Sequence, residues 1–187
     1  MNRFHRWFCR SALWRRSLSE TILPWALQDA ELGQHILEVG PGPGLTTDIL
    51  RQRSWQITSV EIDHRLADAL RQRMIGTNVT VIEGDATAMP FADGSFTGAV
   101  SFTMLHHVPS RMLQDRLLAE VYRVLRSGGM FIGTDSRWSR SFQLAHLRDT
   151  MVIVNPDTFA ARLAAAGFTN VSIDRTKGSF RFQARRA

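Results

Sequence analysis

The segment Ile36-Leu37-Glu38-Val39-Gly40-Pro41-Gly42-Pro43-Gly44 carries an apolar strand into a turn with glycine at every second position. Glycine supplies both the unusual dihedrals and the missing side chain that a ligand needs to approach backbone closely. In an open α/β sheet such a ligand lies beyond the carboxyl end of the first strand. A diphosphate is a poor match, because Pro41 and Pro43 have no N–H to donate and Glu38 sets an anion beside the loop. The third glycine also comes one residue too early for G-x-G-x-x-G, and no Gly-Lys-Ser/Thr is present. A ligand with a positive centre suits this loop better. The plainer alternative is a tight strand-to-helix connection.

Two acids extend the pattern. Glu61 ends the second apolar strand, at the interval where a carboxylate accepts from both vicinal hydroxyls of a ribose. Asp85, in Glu83-Gly84-Asp85-Ala86, follows the third strand, where an acid can accept from an exocyclic amine while the next backbone N–H donates to a ring nitrogen. Taken singly, each reads as a solvated or capping carboxylate. At the ends of three successive strands they outline a nucleoside pocket.

The elements that must hold these residues show two alternating periodicities. His35–Val39, Gln56–Ile62, Val79–Glu83, Phe96–Phe102 and Met130–Thr134 read as strands bounded by Gly, Asp or Pro. Between them Leu45–Arg53, Arg65–Met74 and Ser110–Leu125 carry helical spacing, the last aligning Leu113, Leu117, Val121 and Val124. Parallel strands with right-handed crossovers follow, hence a doubly wound α/β sheet. Only the connection from Val79 to Phe102 lacks a helix. Asn155 and Pro156 open a further helix over Thr158–Ala166, stopped by Gly167. Val171–Asp174 and Phe180–Ala184 form a hairpin across Thr176–Gly178. Residues 1–33 are expected to form an N-terminal helical cap and residues 34–187 one ligand-binding domain.

With 187 residues, 44% hydrophobic and 21% charged, the chain is expected to hold one core and is not of a disordered or collagen-like class. No stretch approaches the ~20 apolar residues of a spanning helix. The single cysteine, Cys9, allows no intrachain disulfide, and a cytoplasmic location is expected. The formal charge of +6 comes from 22 arginines against one lysine, Lys177. Arg3, Arg6, Arg10, Arg15 and Arg16 crowd the first sixteen residues without an acid among them.

As a set, Leu37–Gly44, Val60-Glu61-Ile62-Asp63, Gly84-Asp85-Ala86 with Met89-Pro90-Phe91, Ser95-Phe96, Leu105-His106-His107-Val108 and Glu120–Leu125 with Gly128-Gly129 resemble the class I S-adenosylmethionine-dependent methyltransferases, specifically the small type 11 branch. The resemblance implies a Rossmann-like, three-layer αβα sandwich around a seven-stranded sheet in order 3-2-1-4-5-7-6 with strand seven antiparallel. It implies that Gly40, Gly42 and Gly44 pack on the methionine part of S-adenosylmethionine and that Glu38 holds its ammonium. Glu61 would bind the ribose, Ile62 would lie on the adenine, Asp85 and Ala86 would read its edge, and Phe102 would complete the cofactor set. Because a sulfonium already activates its methyl group, transfer needs positioning, exclusion of water and a deprotonated nucleophile. No metal is required. His106 and His107 follow strand four, where the family's methyl group points, and either is a candidate base; capping or packing the next helix is the alternative.

Two departures from the family pattern follow, of which the first is expected to alter a turn and leave the cofactor site intact, and the second bears on the acceptor. Thr97 stands where the family often has Asp after Ser-Phe. Ser101-Phe102-Thr103-Met104 replaces the Asn/Asp-Pro-Pro-aromatic signature of amino-group methylation on nucleobases, so exocyclic base methylation loses support. The expected acceptor is therefore a small molecule or lipid-like compound, with Arg137, Trp138, Arg140 and His146 as candidate acceptor-pocket residues. Phe4, Trp7, Phe8 and Leu18 amid five arginines suggest a basic amphipathic helix that closes over the acceptor, packs on the sheet or touches an anionic membrane from one side. Nucleic acid is the less favoured partner. An RNA methyltransferase and a non-catalytic S-adenosylmethionine-binding module are the competing functions.

Overall fold

A computed structural model of the protein describes residues 11–28, 30–53, 55–145 and 149–187. The expected roles of Arg3, Phe4, Arg6, Trp7, Phe8, Cys9, Arg10 and His146 lie outside the described residues. Seven strands form one sheet: β1 (His35–Val39), β2 (Gln56–Glu61), β3 (Val79–Glu83), β4 (Phe96–Phe102), β5 (Leu125–Ser136), β6 (Phe168–Arg175) and β7 (Ser179–Arg186). Their order is β3-β2-β1-β4-β5-β7-β6. The first five pair in parallel, and β7 runs antiparallel to both β5 and β6. Every residue of β4 is buried, as a central strand covered on both faces requires.

Helices close the two faces. On one side lie α1 (Ala12–Ser17), a wider turn at Leu18–Ile22, α2 (Leu23–Ala26), α3 (Leu45–Leu50) and α4 (His64–Arg73). Leu23, Ala26, Leu32, Leu50 and Leu70 meet Ile36, Val100, Phe102 and Ile132 of the sheet there. On the other side lie α5 (Arg111–Val124) and α7 (Pro156–Ala165), whose Leu117, Val121, Phe159 and Leu163 meet Leu37, Ala99, Phe131 and Phe182. The short α6 (Arg140–Ala145) follows β5. Side chains cap three of these helices: Asp63 accepts from the Arg65 and Leu66 amides, Ser110 from that of Leu113, and Asn155, as expected, from that of Asp157.

Three local features have physical reasons, and the second of them, the connection before β4 without a helix, is as expected. The fifth strand begins at Leu125, directly off α5, because the chain loops out around Gly128 at φ 76° before Met130 resumes pairing with Gly98. Residues 84–95 have no helix, and α5 satisfies their backbone instead. Glu120 accepts from the Met89 amide at 2.7 Å, while Arg123 donates to the carbonyls of Phe91 at 2.7 Å and Met89 at 3.1 Å. Hydrogen bonding to Arg123 holds the Glu120 carboxyl below its ordinary range, which keeps that clamp ionised. Thr97 serves as an anchor: its hydroxyl donates to the Leu32 carbonyl at 2.6 Å and accepts from the His35 amide at 3.0 Å. It ties the N-terminal segment to the start of β4, at the end of the sheet away from the glycine turn.

Candidate active site

At the carboxyl ends of β1, β2 and β3 the chain encloses a cavity of about 380 Å³. The glycine turn forms one wall, and the way its amides are spent decides what that wall can bind. The Gly40 amide donates to the Val60 carbonyl at 2.9 Å and that of Gly44 to the Pro41 carbonyl at 2.9 Å. The Gly42 amide donates to Glu61 Oε2 at 2.8 Å. With Pro41 and Pro43 lacking N–H groups, all backbone donors of the turn are internally committed, so it offers a diphosphate nothing.

Glu61, only 6% exposed, is fixed at both oxygens, since Oε1 accepts from the Asp63 amide at 3.0 Å. Each carboxylate oxygen retains a second lone pair, the geometry for accepting two neighbouring hydroxyls. Asp85 is oriented by the Thr87 amide, which donates to its Oδ1 at 2.8 Å. Ile62 is 69% exposed yet lines the cavity, leaving an apolar face for a flat ring. The lining acids Glu61, Asp63 and Asp85 favour a cationic ligand.

The glycines have separate tasks. Gly42 sits at φ 56° with nothing within 4 Å of where a Cβ would stand, so a side chain would project into open space at the cavity wall. Gly40 makes room for Met104, whose Cε lies 2.6 Å from the equivalent point. Gly44 instead admits Leu70 of α4 and does not line the cavity.

Of the expected cofactor and base residues, Gly40, Gly42, Glu61, Ile62, Asp85, Ala86 and His107 come together around the cavity. Glu38, Gly44, Phe102 and His106 do not line it. Glu38 is 1% exposed and accepts from the hydroxyls of Thr46 at 2.6 Å and of Thr47 and Ser59 at 2.7 Å. Burial pushes its carboxyl up from the ordinary range against the pull of those hydroxyls, and its visible work is to tie α3 and β2 beneath the turn. Phe102 faces the opposite layer, among the side chains under the N-terminal helices, because alternation along β4 sends it there with Val100.

Beyond the glycine turn the wall turns apolar: Met104, Val108, Pro109, Leu113 and Leu117, with His107 and Thr150. Thr103 before it has φ 52°, unusual for a β-branched residue, and its amide donates to the Thr134 carbonyl at 2.8 Å. His107 Nδ1 lies 3.4 Å from the Thr150 carbonyl. Trp138 is exposed, and Arg137 is bonded to the β6–β7 turn through Thr176 and Gly178 carbonyls. No described residue from Ser11 to Gly33 lines the cavity. Sequence spacing gives no signal for what Asp135, Gln114 and Met104 do, because their contacts with His106, Val152 and Gly40 join segments far apart in the chain. Outside the cavity, His64 bridges Glu83 at 2.7 Å and Asp68 at 3.1 Å on the exposed rim.

Among the described residues no helix is long and apolar enough to cross a membrane. A family model described as a methyltransferase domain, Methyltransf_11, matches residues 37–133, just over half of the chain. The chain is 46% identical over 61 residues to ribosomal RNA small subunit methyltransferase A of Geobacter sulfurreducens, a match covering 32% of this chain and 22% of that protein. It is 36% identical over 110 residues to an rRNA adenine N-6-methyltransferase of Saccharopolyspora erythraea, covering 56% of this chain and 29% of that one. It thus spans under a third of the length of either relative. Phosphoethanolamine N-methyltransferase 2 of Haemonchus contortus, solved in complex with S-adenosyl-L-methionine, shares the fold with a TM-score of 0.76 at 15% identity, over 100% of this chain and 60% of that one. The carboxylate pair fixed by backbone amides, the open face at Gly42 and the absence of free donors in the turn all fit that cofactor's ribose and cationic centre. The chain belongs to the class I S-adenosylmethionine-dependent methyltransferases, in the family of the Methyltransf_11 domain.

Proposed function

We propose that the protein transfers a methyl group from S-adenosylmethionine to a small, largely apolar or lipid-like acceptor. The observation that carries this reading is that Met104, Val108, Pro109, Leu113 and Leu117 line the same cavity as the acidic residues Glu61, Asp63 and Asp85. Bound at the acidic wall, S-adenosylmethionine supplies an electrophilic methyl on its sulfonium. Gly40, Gly42, Glu61, Ile62, Asp85 and Ala86 hold and orient that cofactor, and the apolar wall excludes water while it seats the acceptor. His107 is the titratable lining residue on the acceptor side among those described. With Nδ1 directed at the Thr150 carbonyl, Nε2 is the nitrogen that takes the acceptor's proton as the new bond to carbon forms. Glu38 and Gly44 support the turn from below.

Ribosomal RNA is the second reading, favoured by the names of the curated relatives and by the charge of +6. Those matches span only 22–29% of the relatives, and Ser101-Phe102-Thr103-Met104 stands where a base amine would be gripped. The test is methyl transfer from radiolabelled S-adenosylmethionine to apolar amines and phenols, phospholipid vesicles and ribosomal RNA in parallel. Label in the small-molecule or lipid fraction is expected. Label in RNA, suppressed by salt, would replace this reading with the second one; cofactor binding without label anywhere would favour a non-catalytic module.

A further inference from the structure

Asp135 is a fully buried acid that neither the cofactor wall nor the acceptor wall uses. It sits near the end of β5, at the carboxyl edge of the sheet where ligands bind. Three N–H groups converge on it. The His106 amide donates to Oδ2 at 3.1 Å, the Ser136 amide donates to Oδ1 at 2.6 Å, and His106 Nδ1 lies 2.5 Å from Oδ1. Both backbone contacts are donors, and an ionised carboxylate only accepts, so with Asp135 ionised the imidazole proton stands on Nδ1.

The turn Leu105–His107 that carries this ring is fastened on every side. Gln114, buried in α5, donates from Nε2 to the carbonyls of Leu105 at 3.0 Å and Val152 at 2.7 Å. The Val152 amide donates to the His106 carbonyl at 2.8 Å. The His106 ring, 2% exposed, then packs between Phe142 of α6, 5.1 Å away, and His107, 4.2 Å away. A buried charged pair is often no more stabilising than an apolar pair of similar volume. Core filling alone therefore gives no reason for Asp and His at these two positions. Orientation does, because the ring that Asp135 fixes is the one against which His107 rests as it enters the cavity.

We propose that Asp135 is a positioning residue for methyl transfer. It locks His106 as the Nδ1–H tautomer and through that ring sets the orientation of His107, an assignment that rests on the reading of His107 as the acceptor-facing group. The logic is that of an acid fixing an imidazole by its Nδ1 proton, with the additional step that the fixed ring supports a second one.

The test uses the full chain loaded with S-adenosylhomocysteine and labelled with nitrogen-15 in histidine. In wild-type protein, His106 should appear as a single Nδ1–H tautomer with a low-field, slowly exchanging ring proton across roughly pH 6–8. In Asp135→Asn the amide NH2 confronts N–H donors, so that proton signal should vanish and the His107 ring resonances should move, while S-adenosylhomocysteine affinity stays within about threefold. Turnover on the acceptor labelled best in the panel above should fall at least about tenfold in kcat with little change in KM. A wild-type spectrum showing His106 as Nε2–H would overturn the proposal even where the variant does not fold. So would unmoved His107 resonances in folded Asp135→Asn. Full turnover by His107→Gln would instead sink the underlying reading of His107, leaving the tautomer lock to be judged by its spectrum.

Discussion

The cavity has two halves built in different ways, one proposed for the cofactor and the other for the acceptor. Its cofactor half is made by short local units, each a strand, a turn and the start of a helix or loop: Glu38 to Gly44, Glu61 to Asp63, Asp85 to Thr87. Their bonds are mostly local or join neighbouring strands, as when Glu61 takes the Gly42 and Asp63 amides. The acceptor half is stitched from distant segments: Asp135 to His106, Gln114 to Val152, Val152 to His106. A half held by adjacent parallel strands is rigid wherever the sheet is formed. One held across α5, α6 and β5 can change shape by altering a few side chains, which suits the part of the site that chooses the acceptor.

The sharpest way to break this contrast is to remove the pivot of the first half. Glu61→Ala deletes the proposed ribose contact and frees the glycine turn, so S-adenosylmethionine affinity should fall by roughly 1.5–3 kcal/mol in a protein that still folds. Calorimetric titration checks it. Gly44→Ala and Gly42→Ala separate support from contact. The first drives a methyl into Leu70 on top of its own left-handed backbone at φ 81°, and should lower unfolding stability by about 2–5 kcal/mol. The second meets open space and pays only the left-handed backbone, about 1–2 kcal/mol, with its larger consequence on cofactor binding. Chemical denaturation beside titration distinguishes the pair, and equal behaviour would blur the division of labour. NAD should not displace S-adenosylhomocysteine, given a turn whose N–H groups are all engaged; a displacement assay at micromolar NAD decides it.

Two smaller effects concern charge. Burial raises the Glu38 carboxyl, so its contribution to stability is complete below the ordinary value of 4.5 and is lost as the pH rises through the raised one. Glu38→Gln should therefore keep the fold, gain relative to wild type towards neutral pH, and cost less cofactor affinity than Glu61→Ala; pH-dependent denaturation and titration test both parts. His64 is raised by its bond to Glu83 and then by Asp68, so its tie between α4 and β3 stands below the ordinary imidazole value of 6.5 and is lost above its raised one. Being fully exposed, it should move the melting temperature only slightly, and the gap between wild type and His64→Gln should close in alkaline buffer.

The same contrast explains what the sequence made legible. β1, β3 and β4 end where glycine, aspartate and alternation place them, and Glu61, Asp85 and the glycine turn announce themselves because their partners lie within one strand-turn unit. The start of β5 was hidden by the Gly128 loop, a register irregularity that no hydrophobic period encodes. Phe102 and Met104 show how two neighbours diverge: strand alternation buries the first in the far layer, while the positive φ of Thr103 redirects the second onto Gly40. Asp135 and Gln114 read as ordinary polar positions in sequence, since the groups they serve lie 29 and 38 residues away. His106 and His107 were visible as a pair, yet only the fold separates the one that lines the cavity from the one behind it.

Calorimetric titration of S-adenosylhomocysteine into wild-type, Glu61→Ala and His107→Gln protein tests most directly whether the two halves are separable. Glu61→Ala should weaken binding by about ten- to a hundredfold, while His107→Gln should bind as wild type does. A parallel loss in both variants, or unchanged affinity in folded Glu61→Ala, would contradict it.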